Sequence, residues 1–315
     1  MRALVFDRTL RLDENYPGPL PLIGESIVRV KLAGICGTDL ELTRGYMAFR
    51  GVPGHEFVGH VVQSDDALLI GQRVAGEINA GCGHCQACAA TAGRHCPERT
   101  VLGILGRDGA FAEYLRLPNA NLLPVPDTIT DEAAVLIEPL SAAYEIFAQT
   151  EIKHDASVII LGDGRLGAIV ALAFKANGYR PLISGHHRKK LERLAVLGLE
   201  TATAHDMTRQ FDAVIDCTGS SSGFVEALSL VRPRGTIILK STAAAAGALN
   251  LAPIVVSEIT VIGSRCGRFQ TAIAALAEGA ADPRPLIDGV YPLSEALAAF
   301  EAAANPVNFK ILIRP

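Results

Sequence analysis

No charge of one sign dominates this chain of 315 residues, in which 29 lysines and arginines stand against 33 aspartates and glutamates. A formal net charge of -4 offers no basic field to nucleic acid or to an anionic membrane, so a small soluble molecule is the expected partner. Long apolar runs are missing as well. The most apolar long stretch, Val158 to Phe174, is broken by Asp163, Arg165 and three glycines. It falls short of the uncharged run of about 18 residues that a membrane span requires. The opening MRALVFD has neither the apolar core nor the small-residue cleavage site of a signal peptide. Export is not expected, and a cytoplasmic location is. The chain also lacks an even set of cysteines. Seven thiols without an export signal point to metal binding rather than to disulfides. No internal repeat or low-complexity tail is present.

What is present divides into two patterns. From residue 25 to about 117, apolar and polar residues mostly alternate, as in Val28, Val30 and Leu32 against Arg29 and Lys31, with Gly and Pro throughout. That pattern predicts a β-rich domain of short strands. From Ser157 onward, apolar runs at 158–161, 213–217, 236–239 and 259–262 alternate with helix-like segments, which predicts βαβ units around a parallel sheet. Gly178 and Gly198 fall where two of those helices should stop. Beyond Ser264 come two helical stretches, near 270–278 and 294–303, and a final strand over 307–313.

Two groups of residues have metal-binding chemistry. The segment GCGHCQACAATAGRHC spaces Cys82, Cys85, Cys88 and Cys96 as C-x2-C-x2-C-x7-C, which lets one loop of about residues 81–97 wrap a tetrahedral ion. Four sulfurs leave no open position, so a zinc ion here is structural. An iron-sulfur cluster and a set of free thiols are the competing readings. His84 and His95 lie inside the lobe but are not needed as ligands. The second group is Cys36, just after a predicted strand, with His55 and Glu56 about twenty residues on. A thiolate, an imidazole and a carboxylate can leave one zinc position free for substrate. By themselves, these residues read more readily as a buried thiol and a hydrogen-bonded His-Glu pair.

Gly162, Gly164 and Gly167 form G-x-G-x-x-G directly after an apolar strand and at the start of a helical run. In that context the motif predicts a dinucleotide site, with Arg165 and Leu166 in the same turn and the pyrophosphate at the helix N-terminus. An acid about twenty residues further on would read the ribose hydroxyls of NAD. Here the second strand ends instead at Ser184-Gly185-His186-His187-Arg188-Lys189-Lys190. Space at Gly185, with Arg188, Lys189 and His186 nearby, favours NADP over NAD; a solvated first helical turn is the plainer reading.

Taken in order, these features resemble the zinc-dependent medium-chain dehydrogenases that act on alcohols, sorbitol, glucose and threonine. The matching landmarks are Cys36-Gly37-Thr38-Asp39, Gly54-His55-Glu56, the four-cysteine lobe, Asp108 to Tyr114, Glu138-Pro139-Leu140, the glycine motif, and Asp212 to Gly219. The resemblance implies an α/β fold with a GroES-like catalytic domain at 1–139 and 265–315, and an inserted Rossmann domain at 140–264. It implies two zinc ions per chain. Cys36, His55 and Glu138 would hold the catalytic one, with Glu56 a ligand or a carboxylate exchanging with water. Glutamate in an EP motif is the mark of the sorbitol, glucose and threonine branch, which steers the substrate toward a polyol, a sugar or a hydroxy-amino acid. The implied reaction is hydride transfer between a secondary alcohol or ketone and NAD(P), with zinc as Lewis acid and Thr38 passing the proton outward. Glu41 stands where liver-type alcohol dehydrogenases have a relay histidine. Arg265 is a further cofactor candidate, and a homodimer or homotetramer is the family precedent. A threonine-type or simple alcohol dehydrogenase is the alternative within the enzyme class. Outside it stands a non-catalytic NADP-binding redox sensor.

Overall fold

The computed structural model describes residues 1–91, 93–204, 210–240, 242 and 249–315. The chain forms two compact units. One comprises Met1–Glu138, Phe269–Ala277 and Arg284–Pro315, and the other Pro139–Arg268 and Glu278–Pro283.

In the first unit, the strand Glu25–Gly34 is the hub of a seven-stranded sheet. It pairs antiparallel with Glu56–Gln63, with Tyr114–Pro118 and with Lys310–Arg314. The alternation seen in the sequence is the cause: Val28, Val30 and Leu32 are buried while Arg29 and Lys31 are exposed. A strand with one apolar face has its register set by that face. Gly34 consequently stands opposite Glu56 on one side and Leu312 on the other. This brings the start of the strand Glu56–Gln63 and the final strand Lys310–Arg314 to the end of the hub strand, where the chain runs on into Cys36. The last strand begins at Lys310, later than the apolar pattern suggests, because Asn305 holds Val307 and Asn308 in a turn.

The second unit holds a six-stranded parallel sheet in the order Glu200–Thr203, Leu182–Gly185, Val158–Leu161, Phe211–Asp216, Val231–Leu239, Thr260–Gly263. Val158, Ile159, Ile160 and Leu161 are all buried, as expected of a strand covered on both faces. Ile159, Phe211, Val214, Phe224, Ile237 and Ile259 share one cluster, and each such side chain contributes about 1.5–3 kcal/mol by leaving water. The strand order reverses between Val158–Leu161 and Phe211–Asp216. Ligands of open α/β sheets bind outside the carboxyl ends at such a reversal. Residues 265–268 and 278–283, expected with the first unit, group with the second. Gly267 lies so close to the Ser141 carbonyl that a Cβ would come within 1.9 Å of it, and Lys240 Nζ donates to the Arg265 carbonyl at 2.6 Å.

Candidate active site

The four thiols of the cysteine lobe converge. Cys82 and Cys88 are 3.9 Å apart at sulfur, Cys85 and Cys96 are 3.8 Å apart, and all four lie within 4.8 Å of one another. Four thiolates about 2.3 Å from one tetrahedral ion stand about 3.8 Å apart. The spacing therefore fits a single zinc-sized ion, whereas a cluster would interpose iron and sulfide and spread the sulfurs. Backbone N–H groups of Cys82, Gly83 and Cys88 point at the sulfurs of Cys96, Cys88 and Cys85, each at 3.4 Å. The Cys82 N–H helps bring the Cys96 thiol down to about 7. The Cys88 thiol is pushed up to about 11, because desolvation and the three neighbouring thiols outweigh the Gly83 N–H. Four thiolates so close together require a cation. His84 and Glu98 also come near Cys82, but both are exposed and the His84 ring bonds the Cys82 carbonyl at 2.9 Å.

The second group is built at the end of the hub strand. Cys36 caps the helix Gly37–Leu42, and its N–H donates to Asp39 Oδ2 at 2.7 Å. The other Asp39 oxygen accepts from Gly54 N–H at 3.2 Å and faces His55 Nδ1 at 3.3 Å. One buried carboxylate thus braces both the thiol-bearing turn and the histidine. Cys36 Sγ, a His55 ring nitrogen and a Glu56 oxygen lie within 4.8 Å of one another. Among the described residues, His55 Nδ1 is buried without an aligned hydrogen-bond partner. Burial opposes charge on this ring, yet Asp39 and the Cys36 thiol outweigh it and hold the His55 pKa well above the usual imidazole value. A carboxylate facing Nδ1 is the kind of partner that orients a metal-binding imidazole and leaves its other nitrogen for a cation. The Cys36 thiol also faces Thr38 Oγ1 at 3.9 Å.

Glu56 has a partner that sequence reasoning missed. Lys310 Nζ donates to both Glu56 oxygens, at 2.8 and 2.6 Å, and reaches the Ile35 carbonyl at 3.4 Å. Both side chains are fully buried. Gly34 makes room for this pair, since a Cβ there would fall 2.3 Å from Glu56 Oε2.

In the second unit, the three motif glycines have separate causes. Gly162 adopts φ +107° in the turn after Val158–Leu161, and a Cβ on Gly167 would lie 1.9 Å from the Gly162 carbonyl. Gly164, the cap of the helix Arg165–Ala176, has nothing within 4 Å of a Cβ position. That opening at a helix N-terminus is where backbone N–H groups can meet a pyrophosphate.

Comparison with known proteins agrees with this geometry. Residues 23–127 match the alcohol dehydrogenase GroES-like domain, and residues 166–280 match the zinc-binding dehydrogenase domain. An L-threonine 3-dehydrogenase of Chelativorans sp. (strain BNC1) is 34% identical over 70% of this chain and 71% of its own length. The chain belongs to the zinc-dependent medium-chain dehydrogenases. Among solved structures, the dehydrogenase is similar to a short chain alcohol dehydrogenase (rspB) from E. coli CFT073 complexed with NADH. The TM-score is 0.92 at 25% identity, covering 100% of this chain and 99% of that one. A zinc-binding dehydrogenase from Sinorhizobium meliloti 1021 bound to NADP gives a TM-score of 0.88 at 25% identity, with the same coverage. The first unit is accordingly GroES-like and the second Rossmann-type, and the dehydrogenase is an oxidoreductase of the polyol and alcohol dehydrogenase type.

Set against that family pattern, the sequence-derived candidates separate. Cys36, His55 and Glu56 are together. Glu138, in the first turn of the helix Ile137–Gln149, is buried. Glu41 pairs with Arg44 at 2.7 Å on the surface. Arg188 pairs with Glu192 at 2.8 Å on an exposed helical turn, and His186, Lys189 and Arg265 are exposed. The space expected at Gly185 is filled: the Asp163 carboxylate lies against it, 2.3 Å from where a Cβ would be. Asp39, Lys310 and Asp163 were the residues missed. Asp39 had a local signal, as the fourth residue of Cys-Gly-Thr-Asp.

Proposed function

We propose that this dehydrogenase transfers a hydride between NAD(P) and a secondary alcohol or ketone of a polyol, sugar or related metabolite, using two zinc ions per chain. One observation carries the reading. A thiol, an imidazole and a carboxylate come together at the end of one strand, and the carboxylate is already neutralised by Lys310. Such a donor set suits an ion with a position left for substrate, unlike the closed four-sulfur lobe. When bound, zinc supplies a Lewis acid toward the substrate oxygen and the dinucleotide supplies the hydride acceptor or donor. The residues of the chain do the rest. Cys36 and His55 hold the ion with Glu138 as a further ligand, and Asp39 fixes the angle between thiol-bearing turn and ring. Thr38, two residues from Cys36, hydrogen-bonds the reacting oxygen and takes its proton outward. Lys310, bonded to both Glu56 oxygens, would hold that carboxylate back from an ion bound there. Gly162, Gly164 and Gly167 seat the pyrophosphate, with Arg165 and Leu166 completing the turn.

The 34% identity to an L-threonine 3-dehydrogenase favours a second reading, in which the substrate is a hydroxy-amino acid. A screen of polyols, aldoses, threonine and short alcohols with both cofactors separates the two. Metal analysis tests both together: fewer than two zinc ions per fully loaded chain overturns the two-site assignment. Tight dinucleotide binding with no turnover on any alcohol or carbonyl would instead identify a redox sensor. No described helix is long and apolar enough to cross a membrane, in keeping with a cytoplasmic enzyme. Self-association is proposed through the edge strand Thr260–Gly263, beside which Leu251, Val255 and Val256 are exposed. An unpaired strand edge with apolar neighbours is a template for a second copy. A monomer in light scattering overturns that.

A further inference from the structure

The second residue of the glycine motif is a buried acid. Asp163 is 5% exposed. Its Oδ2 accepts the His187 backbone N–H at 2.6 Å, and its Oδ1 lies 2.9 Å from His187 Nδ1. A carboxylate only accepts, so the ring proton of His187 sits on Nδ1. The side chain rests on Gly185, the last residue of the second parallel strand. A Cβ on Gly185 would fall 2.3 Å from Asp163 Cβ, Cγ and Oδ2. In a dinucleotide-binding sheet this strand end is where an acid reads the adenosine ribose. The sequence after Leu182–Gly185 has no such acid, yet the loop after Val158–Leu161 delivers one to the same place.

We propose that Asp163 is the ribose-reading carboxylate of this dehydrogenase and that it selects NAD over NADP. The inference deepens the dinucleotide reading above and rests on it. His187 takes two of the roughly four acceptor positions of the carboxylate, which leaves two for ribose hydroxyls. A phosphate on the ribose would instead bring a charge of about -2 against a buried anion. The cations that could offset this are poorly placed. Arg188 is bonded to Glu192 with its side chain 89% exposed, and Lys189 is exposed, so solvent screens both. The reason for expecting NADP, an absent carboxylate, is thereby removed. Asp163 also ties the glycine loop to the start of the helix Arg188–Val196, and a purely structural tie makes a different prediction. Cutting a tie weakens both dinucleotides alike, whereas removing a charge moves them in opposite directions.

The test is a fluorescence titration of the purified protein with NADH and with NADPH, without substrate, so that it reads binding and not turnover. The wild type is expected to bind NADH at least about tenfold more tightly than NADPH. Asp163→Asn should weaken NADH by about tenfold and strengthen NADPH, inverting or erasing the preference. Gly185→Ala, which pushes the carboxylate aside without removing it, should also weaken NADH. His187→Ala keeps the carboxylate and should keep the preference. Equal loss of both dinucleotides in Asp163→Asn overturns the inference, as does a wild type that prefers NADPH, a result that stands even if the variants fail to fold. If the wild type binds neither dinucleotide, the dinucleotide reading itself falls.

Discussion

Replacing Lys310 by methionine keeps the bulk of the side-chain stem and removes the charge that bonds both Glu56 oxygens. The Lys310 and Glu56 side chains are 1% and 0% exposed, so water cannot take over from the lost ammonium. Removing one partner of a buried ion pair costs about 3–5 kcal/mol, a large share of the roughly 5–15 kcal/mol that holds a domain together. Glu56, left uncompensated, has one cation to turn to. Its carboxylate is already within 4.8 Å of the Cys36 sulfur and a His55 nitrogen, so on the proposed reading it would become a further ligand of an ion held there, at the expense of substrate. Two consequences are measurable. In urea denaturation, zinc-free Lys310→Met loses about 3–5 kcal/mol while the zinc-loaded variant loses clearly less. Turnover of the loaded variant falls more than about tenfold although it keeps its metal. Adding Glu56→Gln removes the orphaned charge and returns most of the stability. Wild-type stability of the zinc-free Lys310→Met protein would refute the claim that this pair supports the fold. A zinc-independent loss would refute the claim that Lys310 restrains Glu56.

Cys36→Ser is expected to fold normally by circular dichroism, to bind one zinc fewer and to show no turnover; full activity would remove Cys36 from the site. Cys88→Ser should open the lobe and expose residues 81–97 to protease, whereas an intact, protease-resistant lobe would show that the ion is not what folds it. Gly167→Ala forces a methyl group against the Gly162 carbonyl and should destabilise the protein by about 1–3 kcal/mol while weakening NADH binding; unchanged binding would sink the close-packing argument. Asp212 is bonded by Ser157 and Arg232, which lower its pKa from 3.8 to about 2. A depressed carboxylate stabilises the fold above its ordinary value and loses that contribution as pH falls through the folded one. Wild type should therefore lose stability relative to Asp212→Asn between about pH 4 and 2, and parallel urea midpoints over that window would contradict it.

How much of this was legible in the sequence depended on how far apart the cooperating residues lie. The cysteine lobe could be read because its four ligands fit within one loop, and the glycine motif because a strand, a turn and a helix follow one another. Asp163 and His187 are separated by 24 residues, and Lys310 and Glu56 by 254. No local periodicity marks such pairs. A search for an acid after the second strand missed Asp163 because the fold supplies it from the preceding loop. Lys310 left one trace, a lysine directly before the apolar run Ile311 to Ile313, and an interior strand position filled by a charge implies a buried partner of opposite sign.

That partner also distinguishes carboxylates that the motifs leave alike. In the sequence, Glu56 and Glu138 are both acids flanking a candidate metal site, and nothing ranks one above the other. In the folded chain, Glu56 has its charge met by Lys310 inside the protein, while Glu138 lies in the first turn of the helix Ile137–Gln149. A carboxylate already neutralised by a buried ammonium gains little by moving to a dication, because it must first abandon a partner that cannot be rehydrated in place. On the proposed reading, direct zinc ligation by Glu56 is therefore the expected minor state while Lys310 is present, and the expected major one when Lys310 is lost.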